Sequence, residues 1–205
     1  MATVSPVAAF DPAGAPDLGV VDAEPATANL DAYEATSTEE FNPGGIFDEV
    51  RLGGSTHLRS TVPEEEDGLF IQGEVLFDPL WSRFDNPVID AFLRPRPHFG
   101  GTLSTDDGTN QVYGGFTWNF PLGQVLFLEA SFGGTLHDGE LHRPAGTTEL
   151  NLGCRVLFRE SAGIGLNLGP NWRVLGFVDH SSHASLCDDY NAGISHAGAS
   201  VGYRF

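Results

Sequence analysis

From Gly45 to Phe205, apolar and polar residues alternate with a period of two, in segments separated by clusters of turn formers. Successive side chains of a β-strand point to opposite faces, so this texture restricts the chain to an all-β fold. Eight strands are predicted, at roughly 45–57, 67–78, 94–105, 111–121, 124–137, 151–168, 171–184 and 192–205. The connections are "LRSTVPEEE", "PLWSRFDNPVIDAFL", "TDDGTN", "PLG", "DGELHRPAGTTEL", "GPN" and "SLCDDYN", and after the first few, long and short alternate. One face of these strands is apolar, as in Leu126, Leu128, Ala130, Phe132 and Leu136, or Val156, Phe158, Ala162, Ile164 and Leu166. The other carries Glu74, Glu129, Arg96, His98, Arg155, Arg159, Arg173 and Arg204.

Alternation alone does not say which face is inside, and a soluble ligand-carrying barrel of the lipocalin type shares the pattern. Three features favour lipid outside. The polar face mixes acids and arginines with Gly, Ser and Asn, as a small barrel filled by internal ion pairs requires. The apolar face ends in aromatics (Trp118, Phe120, Trp172, Tyr203, Phe205), which suits an interfacial girdle. The closing "GYRF" resembles the C-terminal signal of outer-membrane barrels. The expected fold is therefore an eight-stranded antiparallel outer-membrane β-barrel spanning residues 44–205. With both ends of the barrel periplasmic, "PLG" and "GPN" are periplasmic turns and "TDDGTN", "DGELHRPAGTTEL" and "SLCDDYN" are extracellular. Cys154, at the outer end of the sixth strand, and Cys187, in the last outer loop, then share a rim where a disulfide is geometrically allowed.

The formal net charge of -18, with ten arginines and no lysine, excludes nucleic-acid binding through bulk charge. Ten of the acids fall in residues 1–50, which contain no Lys, Arg or His. Residues 1–43 are Ala/Pro-rich and acidic, and are expected to form a disordered tail. No apolar run is long enough for a transmembrane helix. The opening "MATVSPVAAFDPAGAPDLG" has no basic n-region, so an outer-membrane location presumes a signal removed or missing from this sequence.

The stretch "GFVDHSSHASLCDDYNAG" puts His180 and Ser182 on the apolar face, beside Trp172, Val174 and Val178. Polar side chains facing lipid are costly and point to function. Glu160 shares that face, among Phe158, Ala162 and Ile164. Across the sixth and seventh strands, paired residue numbers must sum to an even value to keep both lipid faces together. A sum of 340 sets Glu160 directly opposite His180, and 338 makes it a diagonal neighbour. Ser, His and Glu at one spot supply a nucleophile, a base and an orienting carboxylate. The alternative is that His180 and Ser182 bind headgroups and Glu160 decorates the rim. Elsewhere, His137, Asp138, Glu140 and His142 read as a solvated loop rather than a metal site, "TDDGTN" reads as a turn, and "GISHAG" lacks the context of a nucleophile elbow.

"DHSSHASLCDDYNAGISHAGASVGYRF", with "LGCRVLFRESAGIGL" and "RPRPHFGGTLSTDDGTNQVYGGFTW", resembles the PagL-type lipid A 3-O-deacylases and the alphaproteobacterial acyloxyacyl hydrolases over residues 70–205. The family pattern is approximately His-x-Ser-Asn-Ala, then Asn-x-Gly, ending in Gly-Tyr-x-Phe. The resemblance implies an ester hydrolase acting on lipopolysaccharide in the outer leaflet, with no metal or other cofactor. His180 matches the catalytic histidine and Ser182 the nucleophile, while Ala184, Asn191 and Gly193 match the frame. Two positions depart: His183 stands where the pattern has an oxyanion-shaping Asn, and Ser195 where it has the triad Glu. Either Glu160 substitutes for that acid, or the orienting acid is lost. The rival function is a catalytically silent barrel that anchors or binds a partner through its acidic tail. The sequence leaves open a homodimer, a protein partner of that tail, and the acyl chain removed.

Overall fold

The computed structural model describes residues 45–58, 66, 68–142, 150–187 and 192–205. The segment expected to be a tail, and Asn191, lie outside the described residues. Eight strands, β1 (Phe47–His57), β2 (Leu69–Phe77), β3 (Arg96–Ser104), β4 (Gln111–Leu122), β5 (Leu126–His137), β6 (Val156–Asn167), β7 (Trp172–Ser182) and β8 (Ile194–Arg204), follow one another around a closed barrel. Every neighbouring pair is antiparallel, and β8 closes on β1 from Glu49↔Arg204 to His57↔His196. Closure leaves no sheet edge, the condition for spanning lipid with strands. The barrel has a turn rim, holding the start of β1 and the end of β8 with the β2–β3, β4–β5 and β6–β7 connections, and an opposite loop rim.

The polar face is the inside. Arg51 reaches both oxygens of Glu129, at 2.6 and 2.7 Å, and also Glu49 at 2.7 Å. Arg96 bonds Asp48, Glu49 and Glu129. Arg173 bonds Glu49 at 3.0 Å, and Arg204 bonds Asp48 at 3.2 Å. Charges withdrawn from water are tolerated only when paired and hydrogen-bonded, and here acids and arginines interleave. Arg159 lies 3.9 Å over the Tyr113 ring and Arg173 4.2 Å over Phe127, so the guanidinium planes also pack the interior. Leu52, Ile71, Phe99, Val112, Phe132, Val156 and Val178 are exposed on the outside. Side chains so arranged are an inverted globule, stable with lipid as its solvent. At the turn rim, Trp172, Tyr203 and Phe205 pack edge to face, with ring centres 5.1 and 5.5 Å apart.

Three details differ from the sequence reading. The β2–β3 connection contains a helix, α1 (Pro87–Leu93), capped by Asn86, whose side-chain oxygen accepts from Val88 and Ile89 backbone N–H groups. Asn-Pro is a helix-start signal, with the cap at Asn86 and the fixed φ of Pro87 at the first helical position. α1 leans on β4: the Trp118 indole donates to the Phe92 carbonyl at 2.8 Å, and Phe92 packs on Phe120. Secondly, β6 begins at Val156 rather than 151, so Cys154 lies on the approach to the strand. Thirdly, Arg155 does not join the inward face. It is exposed and donates to the His137 and Gly139 carbonyls, tying the approach to the end of β5. The disulfide Cys154–Cys187 is formed, with Cα atoms 6.3 Å apart, and joins this approach to the β7–β8 connection at the loop rim.

Candidate active site

β6, β7 and β8 are three adjacent staves whose loop-rim ends carry every described candidate residue. The β6–β7 register sums to 340: Phe158 pairs with Ser182 and Glu160 with His180. On the other side of β7, His180 pairs with Ser195. His180 thus stands between Glu160 and Ser195 on the outer face, with Ser182 one step towards the rim on the same face. Directly paired side chains have Cβ atoms about 4.5–5.5 Å apart. Glu160 is exposed and also pairs across β5 with Phe132, which stacks on Phe158 at 6.0 Å. Val156 and Val178 extend the surrounding apolar surface. The polar patch is therefore enclosed by groups that face lipid.

His180 is held by Ser195, whose hydroxyl lies 2.8 Å from Nδ1. Ser195, which departs from the pattern read in the sequence, is thus the hydrogen-bond partner of Nδ1. With Nδ1 engaged, Nε2 is the nitrogen available to take a proton from a nucleophile. Neither Glu160 nor Ser182 is hydrogen-bonded to the His180 ring. The imidazole leans on Gly193, which has φ +70°, and a Cβ added there would stand 2.7 Å from Cε1 of His180. Both the backbone conformation and the ring contact call for glycine at this position.

β7 stops just after Ser182. Ala184 and Ser185 take positive φ values of 49° and 61°, and the Leu186 N–H donates to the His183 carbonyl at 2.9 Å. Two positive φ values in succession make a tight reversal that non-glycine residues adopt at a cost. Strain at this point is consistent with a site whose geometry is imposed by its surroundings. His183 is buried, 3% exposed, and neither ring nitrogen has a hydrogen-bond partner among the described residues. The register thus brings together His180, Ser182, Glu160 and Ser195, with Gly193 against the imidazole and Ala184 shaping the turn.

Sequence reasoning missed what lies behind the patch. Asp179 pairs with His196 on the inner face, one step from the His180–Ser195 pair, and is bonded by both His196 and Arg159 at 3.0 Å. Glu66, in the β1–β2 connection, accepts from the backbone N–H and hydroxyl of Thr109. Burial holds its carboxyl above the ordinary range, against the opposing pull of those hydrogen bonds.

A family model described as lipid A 3-O-deacylase (PagL) matches residues 90–204. Among solved structures, the outer-membrane enzyme PagL superposes with a TM-score of 0.56 at 18% identity, covering 75% of this chain and 97% of that one. The N-terminal β-barrel domain of Pseudomonas aeruginosa OprF superposes with a TM-score of 0.50 at 13% identity, covering 78% and 98%. No curated protein sequence matches. The structural likenesses show the fold, a closed antiparallel β-barrel, and the family match extends across more than half of the chain. The chain belongs to the lipid A 3-O-deacylase (PagL) family.

Proposed function

We propose that this barrel is a serine-type ester hydrolase that removes the 3-linked hydroxyacyl chain of lipid A in the outer leaflet. The observation that carries the reading is the His180–Ser195 hydrogen bond on a lipid-facing surface, with Ser182 and Glu160 beside it. Ser182 Oγ attacks the ester carbonyl while Nε2 of His180 takes its proton. The tetrahedral intermediate collapses, His180 returns the proton to the departing alcohol, and water then hydrolyses the acyl-serine with the same histidine as base. His183 follows the nucleophile at the sequence position of the pattern's oxyanion-shaping residue, but its ring is buried with both nitrogens closed to the surface, so the oxyanion on the outer face is not assigned to that ring. The orienting role is divided: Ser195 fixes the ring, and the carboxylate of Glu160 compensates the imidazolium. Substrate arrives by lateral diffusion, so a deep pocket is unnecessary.

Mass spectrometry of lipid A tests this, in a lipopolysaccharide-bearing host expressing the chain behind a secretion signal. Loss of one hydroxyacyl chain with the native protein, and intact lipid A with Ser182→Ala, is the expected result. Intact lipid A in both, with the barrel folded in the outer membrane, would support the silent-barrel reading. That second reading has one specific observation in its favour: the absence of a Ser182–His180 hydrogen bond. A finer prediction concerns Gly193→Ala. The substitution costs about 1–2 kcal/mol of backbone energy at positive φ and pushes the ring aside. Initial-rate assays on the folded variant should show a loss of 10²-fold or so, the scale of an ångström-sized misplacement.

A further inference from the structure

On the inner side of the same strand ends, a second set of side chains converges. His57 ends β1, and His196 lies directly opposite it on β8. Both occupy inward positions of their strands, and His196 is 1% exposed. Their rings meet edge on, with centres 6.0 Å apart. Glu66 comes from the β1–β2 connection, and one ligand atom from each of the three residues falls within 4.8 Å of the others.

Hydrogen bonding around the cluster leaves acceptors pointing inward. Thr109 occupies Oε1 of Glu66, while the buried Oε2 has no hydrogen-bond partner among the described residues. Asp179 accepts from Nδ1 of His196 at 3.0 Å, which places the ring proton there and leaves the buried Nε2 as a lone pair with no partner among the described residues. Asp179 is itself fixed by Arg159 at 3.0 Å. A carboxylate oxygen and an imidazole lone pair buried near one another repel unless a proton, a water or a metal cation lies between them. A carboxylate on the far nitrogen of an imidazole is also the arrangement that orients metal-ligating histidines.

We propose that His57, Glu66 and His196 bind a divalent ion of the zinc class just inside the loop-rim mouth of the barrel. Two imidazoles and one carboxylate form a borderline ligand set that suits zinc and disfavours calcium or magnesium, which take oxygen ligands. Zinc–ligand bonds of about 2.0–2.2 Å place ligand atoms roughly 3.3–3.6 Å apart in tetrahedral geometry, so binding requires only a small closing of the three side chains. The fourth position is left to water. The ion cross-links the first strand, the last strand and the β1–β2 connection, bracing the closing seam of the barrel behind the His180–Ser195 pair.

The test is titration of the metal-stripped, detergent-folded full chain with zinc, followed by calorimetry and metal analysis, with cobalt as a spectroscopic stand-in. One zinc per chain, and a tetrahedral cobalt spectrum, are expected. Glu66→Gln and His57→Gln, both near the rim, should weaken binding by at least about 100-fold, and Asp179→Asn by about 10–100-fold. His142→Gln, outside the cluster, should leave it unchanged. Heat-modifiable gel migration verifies that each variant is folded, and the cobalt spectrum of the native chain does not depend on any variant. No stoichiometric zinc uptake by the folded barrel, uptake indifferent to Glu66→Gln and His57→Gln, or a preference for calcium would each overturn the proposal.

Discussion

Ser182→Ala, His180→Ala and the double variant are each expected to lower lipid A deacylation by about the same factor, on the order of 10⁵–10⁶-fold. A hydroxyl is a poor nucleophile until its proton has somewhere to go, and an imidazole has nothing to activate without the hydroxyl. The two losses therefore do not multiply. The orienting pair should behave differently. Ser195→Ala removes one neutral hydrogen bond to Nδ1, at 2.8 Å, whose net contribution of about 0.5–1.5 kcal/mol corresponds to roughly 10-fold. Glu160→Gln removes a charge but not the clasp on the ring, and should also cost less than a complete orienting acid. Together they should approach the 10⁴-fold or so lost when a triad loses its carboxylate. Ser195→Glu restores the acid of the family pattern at the position paired with His180, and is expected to raise the rate above that of the native chain. Initial-rate measurements on mixed micelles check all of these. A rate unchanged by Ser182→Ala would remove the serine mechanism altogether.

The arrangement on the outer surface was largely legible because it is local. In a hairpin with a short turn, the register follows from the turn and the demand that apolar faces coincide, so Glu160 opposite His180 could be read from residue numbers. The faces were legible for the same reason, and the interior position of Arg96, Arg173 and Glu129 follows from alternation. The Cys154–Cys187 bridge was readable as a shared rim, although β6 starts later than the apolar pattern suggested.

What escaped depended on contacts between distant parts of the chain. Ser195 read as a departure from a motif, whereas across β7–β8 it is hydrogen-bonded to Nδ1 of His180. The His57–Glu66–His196 cluster joins the first strand to the last, a juxtaposition set only when the barrel closes. No local period announces it. α1 was hidden by a different cause: its seven residues are too few to display a helical period, and only the Asn86-Pro87 cap signalled it.

The second large effect is expected at Arg51. Its guanidinium forks onto both oxygens of Glu129 and also grips Glu49, while Glu74 lies 3.4 Å away. Arg51→Met keeps most of the side-chain volume but leaves three carboxylates inside the barrel without their common cation. Arg96 and Arg173 remain bonded to Glu49, so that acid is partly compensated. Among the described residues Glu129 keeps only the 3.2 Å contact from Arg96. Removing one partner of a buried pair costs about 3–5 kcal/mol, because the charge left behind is still desolvated. Urea unfolding of the barrel in detergent, followed by heat-modifiable migration, should show a loss of that size. The decisive comparison is Arg51→Met combined with Glu129→Gln. If the penalty comes from the orphaned charge, removing the charge should restore much of the stability, and the double variant should outlast the single one. If the penalty came from lost packing around the guanidinium, the second substitution would make matters worse. The neighbour Leu52 is exposed on the outer face, so Leu52→Val should be close to neutral.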